Sequence, residues 1–264
     1  MNPSISVIIT TLNRCEDLGL TLDHLARQTL HPDEFEVIVA DGGSSDATRS
    51  TVLAKAREYP AHHIHFIVEL APGVTAARHC GVREAKGSVL VFIEDDARAG
   101  SRSLEAVKEV FQEPDVHMAG GRCLPAYDTP PPLWLEVFFD RTANGFTCGS
   151  LSLIDLGPLK KDTSPSNIWA LNLCIRKETL LRLGGFNPDL MPPGLKEFQG
   201  DGETGLARKV ANAGLRAVYH PEILVEHRIQ KDRFDVSYFE KRWRFQGISD
   251  SFTAEMENEL DEIA

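Results

Sequence analysis

Three consecutive carboxylates, Glu94, Asp95 and Asp96, stand at the end of an apolar run and are the residues here best suited to chemistry. The run at 89–93 is rich in β-branched and aromatic residues, which is typical of a buried strand. Adjacent carboxylates repel one another unless a positive charge lies between them. A divalent cation takes oxygen ligands and often bridges to substrate phosphates. The triplet therefore indicates either a metal and phosphate site or a solvated acidic turn.

Polar residues also follow three other runs that have the pattern of strands. In open parallel sheets, ligands bind outside the carboxyl ends of the strands, and these polar groups stand at such ends. Asp, Gly and Ser are common in ordinary turns as well, but four such clusters at one edge favour a binding site. The polar residues that follow the three runs are Thr10, Asn13, Arg14, Asp41 and Glu69.

Between the strand-like runs, the spacing of apolar residues changes to that of helices. Leu18, Leu22 and Leu25 fall on one face of a helix, for example. This alternation predicts right-handed βαβ units and an α/β fold, in which helices flank a mostly parallel sheet. The predicted strands are 4–10, 35–40, 65–68, 89–93 and 116–119. The predicted helices are 16–28, 46–59 with Asp46 as N-cap, 75–85, and 101–111 with Ser101 as N-cap.

The periodic pattern stops between 123 and 167, where prolines cluster at 130–132. This stretch is too long for an ordinary connection, so we expect an insertion or a mobile loop near the site. The chain then reads as one continuous domain with three parts, 1–122, 123–167 and 168–264. The last part has predicted strands at 168–175, 215–219 and 223–225, predicted helices at 177–183, 203–213 and 235–245, and an acidic tail that we expect to fray.

The composition argues against several classes of function. The 39 acidic and 28 basic residues give a net charge of −11, which argues against a nucleic-acid-binding surface. The five cysteines are scattered and form no C-x-x-C pair, so we expect neither disulfides nor zinc, and a reducing cytoplasm fits best. We find no signal-peptide pattern and no run of about 18 apolar residues.

The usual nucleotide-binding motifs are absent. No G-x-G-x-x-G follows the first strand, and there is no G-x-x-x-x-G-K-[ST]. A nucleotide ligand would therefore be held by carboxylates and a metal ion instead of a glycine-rich loop. Asp41 suits the imide N–H of uracil or the edge of another base.

Four stretches together resemble the inverting glycosyltransferases of family two, which have the GT-A fold. The resemblance spans about residues 4 to 228, and its motifs are specific in combination although each is weak alone. The four stretches are SVIITTLNR at 6–14, EVIVADGGSSDAT at 36–48, GVTAARHCG at 73–81 and VFIEDD at 91–96.

The resemblance implies a nucleotide-sugar donor bound with Mn²⁺ or Mg²⁺ in the first part of the chain. The VFIEDD stretch takes the place of the family's D-x-D motif, so Asp96 would bind the metal. Asp95 or Glu94 would lie nearer the ribose, Asp41 at the base, and Arg78 near the base or diphosphate. This chain departs from the family at Glu94, which replaces an Asp, and at His79, where an Asn is frequent. The residues after the first strand that we expect to contact the donor are Thr10, Asn13 and Arg14.

The last part of the chain would bind the acceptor, a carbohydrate or a lipid-linked molecule. NLCIRKETLLRLGGF at 172–186 resembles the family's stretch before a Gly-Gly-Phe turn, after which a carboxylate opening a helix supplies the catalytic base. Alignment with the following Ala-Gly favours Glu203 as this base. Asp201 is only two residues away and stays as the alternative, because either residue can cap the helix.

Three further residues are candidates on weaker signals. His227 follows a short strand and is a candidate metal ligand, although a lone histidine more often packs or faces solvent. Arg233 is a candidate phosphate ligand, and together with 241–244 it would close over the phosphates or lie against the inner face of a membrane. Trp169 would stack on an acceptor sugar, although core packing is the default for tryptophan.

Two rival functions remain open at this point. A metal-dependent sugar-phosphate nucleotidyltransferase shares the α/β plan, but it needs a glycine- and basic-rich loop after the first strand, where this chain has TTLNR. A non-catalytic nucleotide-binding module is the other rival. The acidic pair Asp201 and Glu203 argues against it, because binding alone does not need that pair. The sequence does not define the donor sugar, the acceptor or the oligomeric state.

Overall fold

The computed structural model describes residues 3–188 and 201–263, which form two sheets and flanking helices. The helices are α1 (Cys15–Leu25), α2 (Thr48–Glu58), α3 (Val74–Glu84), α4 (Ser103–Val110), α5 (Lys177–Arg182), α6 (Gly202–Asn212) and α7 (Val236–Ile263). The strands are β1 (Ile5–Thr11), β2 (Phe35–Asp41), β3 (Ile64–Val68), β4 (Val89–Glu94), β5 (Ala97–Ala99), β6 (Val116–Gly120), β7 (Cys123–Tyr127), β8 (Asp140–Thr142), β9 (Gly145–Cys148), β10 (Leu153–Asp155), β11 (Lys161–Asp162), β12 (Asn172–Arg176), β13 (Arg216–Tyr219) and β14 (Val225–Ile229).

The larger sheet has the strand order β11-β13-β6-β12-β4-β1-β2-β3 within the described residues. The four strands β3, β2, β1 and β4 are parallel, as the sequence predicts. β12 then runs antiparallel between β4 and β6, and β11 runs antiparallel beside β13. The sheet is therefore mixed, and the expectation of a mostly parallel sheet holds for its first half.

Helices cover both faces of the larger sheet, because its central strands are apolar on both sides. Successive residues of β1 point to opposite faces, so Val7 and Ile9 join one core and Ile8 joins the other. The first core includes the buried faces of α1 and α4, and the second includes those of α3, α5 and α6. α3 lies very close to β1 at Gly81, where a Cβ atom would come within 2.5 Å of Ile8 Cγ2.

The stretch from 123 to 167 holds most of a second sheet, ordered β5-β14-β7-β10-β9-β8 among the described residues. The sequence predicts no element here, because strands of two to five residues are too short to show a period. β7 also contains Pro125, which lowers its strand signal. This sheet packs on α7 through a separate apolar cluster that includes Leu135, Leu153 and Phe239.

Several element boundaries differ from the predicted ones. α4 begins at Ser103 with Arg102 at the N-cap position, so the prediction of Ser101 as the cap was wrong. Ala47 holds the N-cap position of α2, so the prediction of Asp46 as the cap was wrong by one residue, although Asp46 Oδ1 accepts a hydrogen bond from the Thr48 amide at 2.9 Å. The last helix continues well past 245, to Ile263. In the part of the chain that the structure describes, no helix is long and apolar enough to cross a lipid bilayer.

Candidate active site

A cleft of about 560 Å³ lies beside the carboxyl end of β4. Its walls come from sequence-distant elements, namely the start of α3, the start of α6, β14 and one side of α7. Of the candidate residues from the sequence, the cleft brings together Arg78, Glu94, Asp201, Glu203, His227 and Arg233. α7 adds residues that the sequence analysis did not single out, and these are Tyr238, Phe245, Gln246 and Ser249.

Glu94, Asp96 and His227 form a cluster that fits a divalent metal ion. Each offers one ligand atom, and the three atoms lie within 4.8 Å of one another. Asp96 is fully buried, and its Oδ1 has no hydrogen-bond partner among the described residues. Carboxylate oxygens and an imidazole nitrogen suit Mn²⁺, while Mg²⁺ prefers oxygen ligands. The structure therefore places Glu94 in the candidate metal cluster, whereas the resemblance allowed it a position nearer the ribose.

The backbone of the second sheet orients His227. β14 pairs with β5 so that His227 lies opposite Ala97, directly after Asp96. The Nδ1 atom of the ring donates a hydrogen bond to the Leu151 carbonyl oxygen at 2.9 Å. The Nε2 atom is then the ring nitrogen that keeps a lone pair, and it lies 3.5 Å from Asp96 Oδ2. Histidines that bind metals are commonly held in this way by a carbonyl group on the other nitrogen.

Two arginines neutralise Asp96. Arg14 Nη2 lies 2.9 Å and Arg233 Nη2 lies 2.7 Å from its Oδ2 atom. Burial alone raises the pKa of Asp96, but the charges of Arg14 and Arg233 outweigh it. The pKa of Asp96 therefore lies well below its usual range, and the carboxylate stays ionised as a metal ligand requires.

Asp95 points away from the cleft and supports the turn between β4 and β5. Its Oδ2 accepts a hydrogen bond from Thr11 Oγ1 at 2.7 Å, and its backbone carbonyl accepts one from Thr21 Oγ1 at 2.8 Å. Burial raises the pKa of Asp95 to about 7, although the charge of Arg14 and the Thr11 hydrogen bond oppose this rise. Asp95 and Thr11 therefore position Arg14 and the neighbouring carboxylates.

Arg78 links the metal side of the cleft with the candidate base. Its Nη2 lies 4.0 Å from Glu94 Oε1, and its Nη1 lies 3.9 Å from Glu203 Oε2. The guanidinium is buried and lies over the ring of Phe186, 5.3 Å from its centroid. Phe186 in turn packs edge-on against Phe92 in β4. Packing against the core of the sheet thus holds the Arg78 guanidinium between the carboxylates of Glu94 and Glu203.

The structure separates the two candidates for the catalytic base. Glu203 lies in the first turn of α6, lines the cleft, and its side chain is 35% exposed. Asp201 is buried, and its Oδ2 accepts hydrogen bonds from Asn187 Nδ2 at 2.9 Å and Thr253 Oγ1 at 3.3 Å. Burial raises the pKa of Asp201 against these hydrogen bonds and the charge of Lys209. Asp201 occupies the N-cap position of α6 without a side-chain cap bond.

The loop after β2 is braced by the loop after β1, as expected for two parallel neighbours. Asp41 is buried, and its carboxylate accepts hydrogen bonds from the amide and hydroxyl groups of Ser44. Asn13 has a positive φ of 55°, and its Oδ1 accepts a hydrogen bond from the Ser45 amide at 2.8 Å. Thr10 lies opposite Glu94 in the register of β1 and β4. These residues stand together at the sheet edge beside the cleft.

The histidine at 79 has a structural explanation. Its Nε2 accepts a hydrogen bond from the Phe186 amide at 3.0 Å, which ties α3 to the Gly-Gly-Phe turn. Gly185 has a φ of 74°, and a Cβ atom there would come within 2.5 Å of His79 Nε2. A histidine at 79 therefore requires a glycine at 185, because any side chain at 185 would collide with the imidazole ring.

Trp169 is not brought to the cleft. Its ring packs against the core of the larger sheet, and its Nε1 donates a hydrogen bond to the Ser166 carbonyl oxygen at 3.0 Å. The aromatic residues that do line the cleft are Tyr238 and Phe245 of α7. The sequence could not identify these two, because aromatic residues in an amphipathic helix usually pack in a core.

The family assignment rests on a direct match of sequence. Residues 6–160, more than half of the chain, match the family described as Glycosyl transferase family 2. Validoxylamine A glucosyltransferase from Streptomyces hygroscopicus subsp. limoneus is 29% identical over 202 residues, which cover 71% of this chain and 44% of the relative. Glucosyl-dolichyl phosphate glucuronosyltransferase from Haloferax volcanii is 23% identical over 251 residues, covering 94% of this chain and 76% of the relative. The chain thus spans less than half of the first relative.

Solved structures confirm the fold. A mannosyltransferase from Pyrobaculum calidifontis, PcManGT, in complex with GDP-Man and Mn²⁺, aligns with a TM-score of 0.65 at 24% identity, over 89% of this chain and 59% of that one. S. aureus TarS 1–349 in complex with UDP-GlcNAc aligns with a TM-score of 0.61 at 16% identity, over 86% of this chain and 58% of that one. With its GT-A fold, the chain belongs to glycosyl transferase family 2.

Proposed function

We propose that this chain is a metal-dependent inverting glycosyltransferase. It would move a sugar from a nucleotide-sugar donor, most suitably UDP-linked, to a hydroxyl group of a sugar, lipid or other acceptor. The family match supports sugar transfer in general. The metal, the stereochemistry and the acceptor belong to the proposal.

The single observation that carries the proposal is the position of Arg78. Its guanidinium lies within 4.0 Å of Glu94, a member of the metal cluster, and within 3.9 Å of Glu203. A sugar bound between the metal cluster and Glu203 would have the diphosphate on one side and a carboxylate on the other. Inverting transfer needs this arrangement, because the acceptor attacks opposite the leaving group.

The residues of the cleft then have separate tasks. Glu94, Asp96 and His227 would hold the divalent ion, which, when bound, neutralises negative charge on the departing diphosphate. Glu203 would accept the proton of the acceptor hydroxyl while its oxygen bonds to the anomeric carbon and the bond to the diphosphate breaks. Arg78 would hold the donor between these groups.

The nucleotide preference rests on Asp41. This buried carboxylate ends β2 beside Thr11, and it can accept a hydrogen bond from the imide N–H of uracil. Guanine also presents N–H donors, and the two structural relatives were solved with GDP-Man and UDP-GlcNAc. A comparison of UDP with GDP therefore belongs in the first experiment.

Calorimetry with UDP and GDP, in Mn²⁺ and then in EDTA, tests the donor half of this proposal. We expect binding in Mn²⁺ that is lost in EDTA and a preference for UDP. Incubation with UDP-sugars should release UDP, and NMR of the product should show an inverted anomeric centre. Release of pyrophosphate from a nucleoside triphosphate and a sugar phosphate would instead identify a nucleotidyltransferase, and binding without release would identify a binding module. No binding of either diphosphate with Mn²⁺ would reject the proposal.

A further inference from the structure

Arg233 contacts two of the residues that could hold a metal ion, and at His227 it contacts the ligand atom itself. Its Nη2 donates to Asp96 Oδ2 at 2.7 Å, and its Nη1 lies 2.6 Å from His227 Nε2. Because His227 Nδ1 already donates to the Leu151 carbonyl, Nε2 is the ring nitrogen left to accept a hydrogen bond or bind a metal. A nitrogen with one lone pair cannot do both. Arg233 and a divalent ion therefore exclude each other at His227.

Arg233 is also the arginine that is easier to displace from Asp96. Arg14 lies within 3.3 Å of three carboxylates, those of Asp17, Asp95 and Asp96. In the described residues Arg233 forms an ion pair with Asp96 alone. Without Asp96, Arg14 would keep two carboxylate partners and Arg233 would have none among the described residues.

The cleft offers the displaced Arg233 side chain a second position. Arg233 lies in a short 3-10 turn, Lys231–Phe234, between β14 and α7, and its side chain already lines the cleft. A guanidinium there can donate two parallel hydrogen bonds to a diphosphate, which is the ligand for which its planar fork is best suited. Rotation out of the Asp96–His227 pair would bring it toward the negative charge of the donor.

We propose that Arg233 exchanges with the metal ion and couples metal binding to donor binding. Arg233 holds Asp96 and His227 until a divalent cation displaces it, and it then binds the diphosphate of the donor. Metal binding alone is weakened because Arg233 must leave, and donor binding is strengthened because Arg233 is released. This inference rests on the proposed function and adds a positioning role for one residue.

Mn²⁺ binding, measured from the EPR signal of the free ion, tests the exchange without an activity assay. Arg233→Gln should bind Mn²⁺ alone about tenfold more tightly than the parent, because the competing side chain is gone. The same variant should bind UDP or GDP less tightly at saturating Mn²⁺. Opposite shifts in the two affinities are not expected from a loss of folding, and far-ultraviolet circular dichroism checks the fold.

Two further variants distinguish the exchange at Asp96 and His227 from the general effect of removing a positive charge near the metal cluster. Arg242→Gln removes the same charge from another residue lining the cleft, one that contacts neither Asp96 nor His227 in the structure. It should bind Mn²⁺ less than threefold more tightly, since a solvated charge at this site is screened. Arg233→Lys keeps the charge but loses the fork that bridges both atoms, and it should also bind Mn²⁺ more tightly than the parent.

The outcomes distinguish the inference from the proposed function. If the parent binds Mn²⁺ and nucleoside diphosphate but Arg233→Gln behaves as Arg242→Gln does, the exchange is wrong and the glycosyltransferase assignment stands. If Arg233→Gln binds Mn²⁺ less tightly than the parent, Arg233 supports the metal site and the exchange is also wrong. If the parent binds neither Mn²⁺ nor a nucleoside diphosphate, both proposals fail together.

Discussion

Replacing Glu203 with Gln should separate sugar transfer from donor binding. The amide keeps the shape of the side chain and cannot accept the acceptor's proton. A positioned general base contributes roughly 10²–10⁴-fold to turnover. At about 1.4 kcal/mol for each factor of ten, this corresponds to about 3–5 kcal/mol in the barrier.

The structure gives the expected effect on donor affinity as well. Glu203 is 35% exposed and lies 3.9 Å from Arg78 Nη1, so the pair is weak and screened, in the range of about 0–1 kcal/mol. Loss of the carboxylate frees Arg78 for the diphosphate. Affinity for the nucleoside diphosphate should therefore stay the same or rise by less than about fivefold.

Asp201→Asn is the matched control, because it makes the same chemical change two residues earlier. Asp201 also lines the cleft, but it is buried and its Oδ2 is held by Asn187 and Thr253, so its change should cost less turnover than Glu203→Gln. Release of nucleoside diphosphate at saturating donor gives the turnover, and calorimetry gives the affinity. A larger turnover loss in Asp201→Asn would reverse the roles, and a donor affinity that falls in step with turnover would place Glu203 on the donor side.

Four other changes test the remaining parts of the structure. Asp96→Asn should abolish Mn²⁺-dependent binding of nucleoside diphosphate in calorimetry, and unchanged binding would show that the metal lies elsewhere. Gly81→Ala should lower the free energy of unfolding in urea by about 1–3 kcal/mol, because the new methyl group overlaps Ile8, and an unchanged midpoint would contradict the packing. Since burial raises the pKa of Asp201, its protonated form stabilises the fold at low pH, and this contribution is lost as the pH rises from 3.8 through the raised value. Asp201→Asn should therefore gain stability relative to the parent over that range, and a pH-independent difference in urea titrations would refute the assignment. Donor and Mn²⁺ together should slow proteolysis within 123–167, and an unchanged cleavage rate would count against the expected mobile loop near the site.

The sequence predicts the first half of the fold well because its strands are long and buried on both faces. β1 and β2 each have seven residues, almost all of them buried, so they read as continuous apolar runs. Their predicted ends lie within one residue of the observed ones. A strand was predicted at 168–175, where β12 lies, but its antiparallel direction was not, and the strands of 123–167 were missed, because pairing partners leave no local signal in short segments.

Site residues that belong to a sequence motif could be predicted, whereas the tertiary contacts that bring distant residues together could not. Glu94 and Asp96 lie two residues apart in one motif, so the sequence placed both at one site, although the resemblance gave the metal to Asp96 and allowed Glu94 a position nearer the ribose. His227 was a candidate metal ligand from its place after a short strand, but the pairing of β14 with β5, which brings it to Asp96 across about 130 residues, left no signal in the sequence. The pairing of Arg233 with Asp96 depends on a 3-10 turn, for which the sequence gives no register.

Residues 123–167, the stretch without periodicity, help to build the candidate metal site. β4 of the larger sheet carries Glu94 and leads directly to Asp96, whereas His227 belongs to the second sheet. The orientation of His227 depends on the Leu151 carbonyl, which is supplied by residues 123–167. The amide of Arg228 then donates to the Asp96 carbonyl at 3.0 Å and holds the two sheets together at this point. A change that unfolds the second sheet should therefore remove the imidazole ligand while both carboxylates stay in place, so that metal binding weakens before the nucleotide half of the domain is disturbed.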